Sequence, residues 1–221
     1  MKLLISVILF ISVHLSYQAG QDGDTNPKKC TTGLGDKDFD LLNMEDACSV
    51  ELKLQIKKEF QASITYMAMG AHFSSEAHFR PGLAKFFIHS ATEERTHAKK
   101  IVQFLLLRGV PIGEAALPPI LLPNNNGVAQ VTWESAEEAL EQAYRLEESV
   151  TKSIENIVKQ CEKGNAENGK NDYHAVDYLT GEFLAEQHEG LRTIAEYITS
   201  LKRMGKGALG EVLFDKTLLK D

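Results

Sequence analysis

The spacing of the helix breakers constrains this chain more than any other feature. Apolar residues recur at helical period over about 47–74, 83–108, 133–161 and 172–202, with a short fifth stretch at about 207–217. Arg80-Pro81-Gly82 parts the first stretch from the second. Gly164 to Asn171 parts the third from the fourth, and Gly205 and Gly207 set off the fifth. Between the second and third lie about 24 residues, including Gly109, Pro111, Gly113, Pro118, Pro119 and Pro123-Asn-Asn-Asn-Gly127. That is far longer than an ordinary helix–helix link. The two short links make antiparallel hairpins. A helix of roughly 27 residues is about 40 Å long, and a crossover of this length can cover that distance when extended. The pattern predicts an all-α fold: a four-helix bundle with one long crossover and a short fifth C-terminal helix. Two independent helical hairpins are the alternative, but the crossover lacks linker composition. Thr132 is the expected N-cap of the third helix, with Glu134 and Ser135 in its first turn.

Met1-Lys2 precedes an almost unbroken apolar run from Leu3 to Leu15, and small or polar residues follow from Ser16 to Gly20. A run of about 13 residues is short of the roughly 20 that span a bilayer. Residues 1–19 therefore read as a secretory signal peptide, cut between Ser16 and Gly20. Residues 20–45 read as an extended arm and 46–221 as the helical domain. No other run is long enough to span a membrane. The expectation is a product of the secretory pathway, held in the ER/Golgi lumen or vesicles or secreted, with no membrane partner. Lys plus Arg number 24 against 31 for Asp plus Glu, and the net charge of −7 argues against nucleic acid as a partner.

Projected at about 100° per residue, each long helix shows an apolar stripe with a polar residue in or beside it. Ile56, Phe60, Ser63 and Met67 form the first, with Glu59 and Tyr66 at its edge. Leu83, Phe87, Ser90, Ile101 and Leu105 form the second, and Glu94 and His97 lie inside it. Ala136, Leu140, Val150, Ile154 and Val158 form the third, with Glu147 near the middle. Val176, Phe183, Ile194, Ile198 and Leu201 form the fourth, with Gln187 among them. All these polar residues fall near mid-helix, so the bundle brings them to one height. Singly, each has an ordinary reading: a misprojected boundary glutamate, a chance Glu-x-x-His, a satisfied core amide, a core tyrosine with a bonded hydroxyl. Together they place three carboxylates in one core. Burying carboxylates near one another is costly, because like charges oppose ionisation. Two Fe²⁺ ions balance three carboxylates to within one charge. His97, three residues after Glu94, shares its face, so both can hold one ion.

The motifs Glu59-Phe-Gln-Ala-Ser-Ile-Thr-Tyr66, Glu93-Glu94-Arg-Thr-His97, Arg145-Leu-Glu147, Leu184-Ala-Glu-Gln187 and Leu213-Phe-Asp-Lys resemble the ferritins. The resemblance runs from about Cys48 to the C-terminus. The N-terminal leader and Asn171 to Leu179 resemble the secreted insect heavy-chain branch. The resemblance implies a ferritin-like bundle that assembles into a 24-subunit shell storing ferric oxide. It implies ferroxidase activity, with Fe²⁺ and O₂ as substrates and two iron ions per subunit. Glu59, Glu94 and His97 would hold the first iron. Glu94 would bridge to a second held by Glu147 with Gln187 alongside, and Tyr66 would hydrogen-bond in the site. Glu93 stands where the family carries a cavity-facing carboxylate, but its companion positions hold Thr96 and Lys99. Asp177 matches a channel aspartate, while the companion acid is replaced by Thr180.

Cys48 opens the first helix and Cys161 closes the third. In the crossover topology these ends meet, so an intrachain Cys48–Cys161 bond is expected. Cys30, on the arm, is a candidate for an intersubunit bridge, with a free or capped thiol as the alternative, and the resemblance suggests a secreted light-chain subunit as its partner. Two other functions are weighed against iron oxidation and storage. One is a slow or non-turning-over structural subunit of an iron-transport shell. The other is an oxygenase acting on an organic substrate, which would want a second histidine and a substrate cavity.

Overall fold

The computed structural model describes residues 44, 46–113, 124–125, 128–163, 171–205 and 207–219. The expected signal peptide, most of the arm and Cys30 lie outside these residues. The described part is helical. Helix α1 spans Asp46–Ser74, and a 3-10 turn at Glu76–His78 leads to α2, Pro81–Leu107. Pro81 opens α2 where its missing N–H costs nothing. In the crossover, β1 (Asn124–Asn125) pairs antiparallel with β2 (Val128–Ala129), a small feature that helical periodicity could not announce. Helix α3 spans Ala136–Lys163. The fourth stretch is α4 (Tyr173–Tyr178), a π-helical segment (Leu179–Leu184) and α5 (Ala185–Met204). Helix α6, Ala208–Leu218, follows. The long helices pack as a bundle, α1 along α2, α3 along α5, and α1 against α3.

Three local expectations change. Helix α3 starts at Ala136 rather than 133, and its cap is Ser135, not Thr132. Ser135 Oγ accepts from Glu138 N at 3.1 Å while Glu138 Oε2 accepts from Glu134 N at 2.8 Å, a reciprocal cap. Trp133 is drawn into the core instead, where its Nε1 donates to Gln142 at 2.6 Å. On α1, Met67 points outward, 47% exposed, while Glu59 and Tyr66 are fully buried at the centre of the stripe rather than its edge. On the fourth stretch, Val176 is only half-buried, and Ala175, Leu179, Phe183 and Gln187 face inward. Their spacing of four residues drifts around a regular α-helix. The wider turn of the π segment offsets that drift and keeps Phe183 and Gln187 on the core side.

The core falls into two apolar clusters. One gathers Leu52 and Ile56 with Ile101, Ile154 and Phe183. The other gathers Met69 and Phe73 with Phe87, Leu140 and Phe214. The long helical stretches pass from one cluster to the other just beyond Glu59, between Ala62 and Tyr66, and at Glu94 to His97, at Glu147 and at Gln187. The predicted polar residues thus form a layer across the middle of the bundle.

Each end of the bundle is fastened differently. At one end a Cys48–Cys161 disulfide joins α1 to α3. Nearby, Arg108 makes paired bonds to Asp172 at 2.8 and 2.9 Å, and Asp172 also caps α4 by accepting from Ala175 N at 3.0 Å. At the other end α6 supplies the caps. Asp215 Oδ1 accepts from Leu83 N at 2.8 Å, and Glu211 accepts from Ala136 N at 3.1 Å and from Arg80 at 3.2 Å. Gly82 makes this approach possible, since a Cβ there would lie 2.1 Å from the Asp215 carbonyl oxygen.

Candidate metal centre

Helices α1 and α2 build the first half of the polar layer. Glu59, Glu94 and His97 are all buried, and one ligand atom from each lies within 4.8 Å of the others. His97 Nδ1 is 3.9 Å from Glu59 Oε2 and 3.8 Å from Glu94 Oε1. Gln55, one turn before Glu59, donates from Nε2 to Glu59 Oε1 at 2.7 Å. Glu59 Oε2, Glu94 Oε2 and His97 Nδ1, one atom from each member of the set, have no hydrogen-bond partner. Buried polar atoms normally find partners, so three together point to a ligand that accepts their lone pairs. The donor set, carboxylate oxygens and one imidazole nitrogen, suits Fe²⁺. Ligand atoms bonded at about 2.0–2.2 Å to one ion lie at most roughly 4.4 Å apart. The 3.9 and 3.8 Å separations of His97 Nδ1 from the two carboxylates fall inside that span.

Helices α3 and α5 build the second half. Tyr66 donates its hydroxyl to Glu147 Oε1 at 2.5 Å, reaching across from α1. Thr151 shares its hydroxyl between the Glu147 carbonyl at 2.8 Å and Gln187 Oε1 at 2.9 Å. A cleft of about 410 Å³, bordered by Glu93, Glu94, His97, Glu147, Glu186 and Gln187, opens the layer to the surface.

The electrostatics follow from burial. Burial and then the charge of Glu94 push the Glu59 carboxyl well above its usual range. Burial and then the charge of Glu147 push Glu94 up to about 8. Burial also raises Glu147, opposed by the hydrogen bond from Tyr66 and by His97. Burial and the Glu147 charge raise Tyr66 well above the usual phenol range, so it remains a donor. The site resists negative charge until a cation enters.

The structure brings all six predicted site residues (Glu59, Tyr66, Glu94, His97, Glu147 and Gln187) into one layer. Glu93 sits at the cleft rim, 3.3 Å from His89. Asp177 is exposed on α4, away from the layer. Sequence reasoning missed three contributors. Gln55 carried a signal, four residues before Glu59 on the same face. Thr151, four after Glu147, carried one too. Glu186, whose Oε1 lies 3.3 Å from His97 Nε2, carried none, because its half-exposed position follows no apolar stripe.

A four-helix bundle with a crossover and a mid-layer carboxylate–histidine set defines the class of helical bundles that can hold metal in their core. Comparison with known proteins narrows this. The ferritin-like domain family matches residues 50–204. The chain is 44% identical to a ferritin heavy chain of Papilio xuthus over 80% of its length and 82% of the relative's. It is 41% identical to one of Drosophila melanogaster over 98% and 99%. The crystal structure of Trichoplusia ni secreted ferritin superposes with a TM-score of 0.75 at 39% identity, covering 90% of this chain and 98% of that one. The chain belongs to the ferritin family.

Proposed function

We propose that this chain is a heavy-chain ferritin subunit that oxidises Fe²⁺ with O₂ at the mid-bundle layer and delivers Fe³⁺ to a ferric oxide store inside a 24-subunit shell. The observation that carries this reading is the set of three unpartnered buried polar atoms on Glu59, Glu94 and His97. Glu59, Glu94 and His97 hold the first Fe²⁺. Glu94 bridges to a second, received by Glu147 with Gln187 alongside. Two Fe²⁺ held side by side each release one electron, and O₂ accepts the pair together with two protons from water to leave as hydrogen peroxide. Tyr66 steadies Glu147 while it is without metal. Oxygen and nitrogen ligands, with no thiolate, suit an ion that must leave.

The heavy-chain relatives and the secreted structural neighbour support entry into the secretory pathway. Among the described residues no helix is long and apolar enough to cross a membrane. Assembly with like subunits, and with a secreted light chain through Cys30, completes the proposal. Asp177 serves an entry channel in that shell. The test is O₂ consumption after adding Fe²⁺ to the iron-free shell. Oxidation well above the buffer rate is expected. Uptake without catalysed oxidation would leave only storage or transport.

A further inference from the structure

The two ring nitrogens of His97 face different surroundings. Nδ1 points at Glu59 and Glu94 and has no partner. Nε2 points the other way, 3.3 Å from Glu186 Oε1. The second oxygen of Glu186 lies 3.6 Å from Lys100 Nζ. Lys100 also reaches Glu182 at 3.9 Å and stands 5.8 Å from the Phe183 ring centre. That same phenyl ring packs against His97, centroid to centroid 5.6 Å. The imidazole is therefore held between a carboxylate, an aromatic ring and the buried acids.

A neutral imidazole carries one N–H, and its partner decides which nitrogen bears it. A carboxylate facing Nε2 draws the proton there. Nδ1 is then a bare lone pair aimed into the metal layer. The reverse tautomer would present an N–H to the space a cation must occupy. Glu186 is placed for this role by the π segment, which ends one residue before α5 begins. From the first turn of α5, Gln187 turns inward to Thr151 while Glu186 turns towards α2.

We propose that Glu186 is a positioning residue that holds His97 in its Nε2–H tautomer, with Lys100 holding Glu186 in turn. Glu186 acts through His97 and is not itself the ligand of the Glu59–Glu94–His97 set. The proposal rests on that set being a metal site. Glu186 is half-exposed, so water competes for its carboxylate and the effect falls at the lower end for such partners.

The experiment titrates the assembled metal-free shell with Co²⁺, following its visible ligand-field absorption, with thermal melts recorded in parallel. Glu186→Ala is expected to weaken Co²⁺ binding about tenfold, within the roughly 10–100-fold range for outer partners of a ligating histidine. Glu186→Gln retains an oxygen that can accept the Nε2 proton and recovers most of the affinity. Lys100→Met gives a smaller loss than Glu186→Ala. In Fe²⁺ oxidation, Glu186→Ala raises the half-saturating Fe²⁺ concentration more than it lowers the maximal rate. Unchanged Co²⁺ affinity in Glu186→Ala overturns the positioning role. So do equal losses in the Ala and Gln variants, which would mean that bulk charge matters and the tautomer does not. His97→Ala separates the two readings. A tighter Co²⁺ phase that survives His97→Ala overturns the Glu59–Glu94–His97 metal site itself, whereas one lost there yet intact in Glu186→Ala overturns only the role of Glu186.

Discussion

The two halves of the polar layer solve the same burial problem in opposite ways. Between α1 and α2, Glu59, Glu94 and His97 turn atoms towards a shared space and leave them unpaired. Between α3 and α5, Glu147 and Gln187 are already engaged, by Tyr66 and Thr151. The first half gains its missing partners only when a cation arrives. The second half must give up a hydrogen bond to take one. Occupancy should therefore be ordered, with a tight first ion and a looser second. A looser second ion suits the proposed oxidation, whose product must leave.

The comparison breaks most severely at the residue shared by both halves. Glu94→Ala should lower the Fe²⁺ oxidation rate by more than the roughly 10–100-fold that loss of an outer partner costs; stopped-flow absorbance would check this, and a near-normal rate would remove Glu94 as the bridge. Titration of the iron-free protein with Co²⁺ should resolve two affinities. Exchanging one charge-assisted hydrogen bond, about 1.5–3 kcal/mol, separates them by roughly 10–100-fold. A single class of equal sites would erase the asymmetry.

Proton competition sharpens the contrast. Glu94 has its carboxyl raised to about 8 in the folded chain. A carboxyl raised in the folded chain contributes most below its ordinary value of 4.5, and that contribution is lost as pH rises from there to the raised value. Melting temperature of the metal-free protein should therefore fall between about pH 4.5 and 8 and level off above. Glu94→Gln should flatten that fall, and saturating Co²⁺ should reverse it. Tyr66→Phe strips Glu147 of its buried donor. It should cost about 1–3 kcal/mol in denaturant unfolding while tightening the second ion, because Glu147 Oε1 is then free. The smallest effect is expected from Thr151→Val, about 0.5–1.5 kcal/mol with the first ion's affinity unchanged.

Helix spacing alone carried the bundle, because proline and glycine breaks divide the chain where the helices end. Helix α2 was read most accurately, since Leu83, Phe87, Glu94, His97, Ile101 and Leu105 all fall on one buried face. Helix α1 was read one step askew. It carries apolar residues on several faces, with Val50, Leu54 and Met67 all exposed, so no single stripe stood out. The π segment hid in a run of four-residue spacings that resembles ordinary helix. Thr132 was expected to cap the third helix, but Ser135 does so, three residues on, with Trp133 buried ahead of it. Glu186 belonged to no pattern along the chain; only the packing of α5 on α2 brings it to His97. Ligands pointing into a core leave a periodic trace, and residues that steady them from the rim do not.

Helix α6 has a consequence for the order of assembly within the chain. The opening turns of α2 and α3 borrow their capping oxygens from Asp215 and Glu211, which lie far downstream. During synthesis the first turn of α2 waits for its acceptor until Asp215 has emerged, whereas α3 already holds its own Ser135 cap and waits only for the further bond from Glu211. Helix α6 works as a clasp across both helix starts.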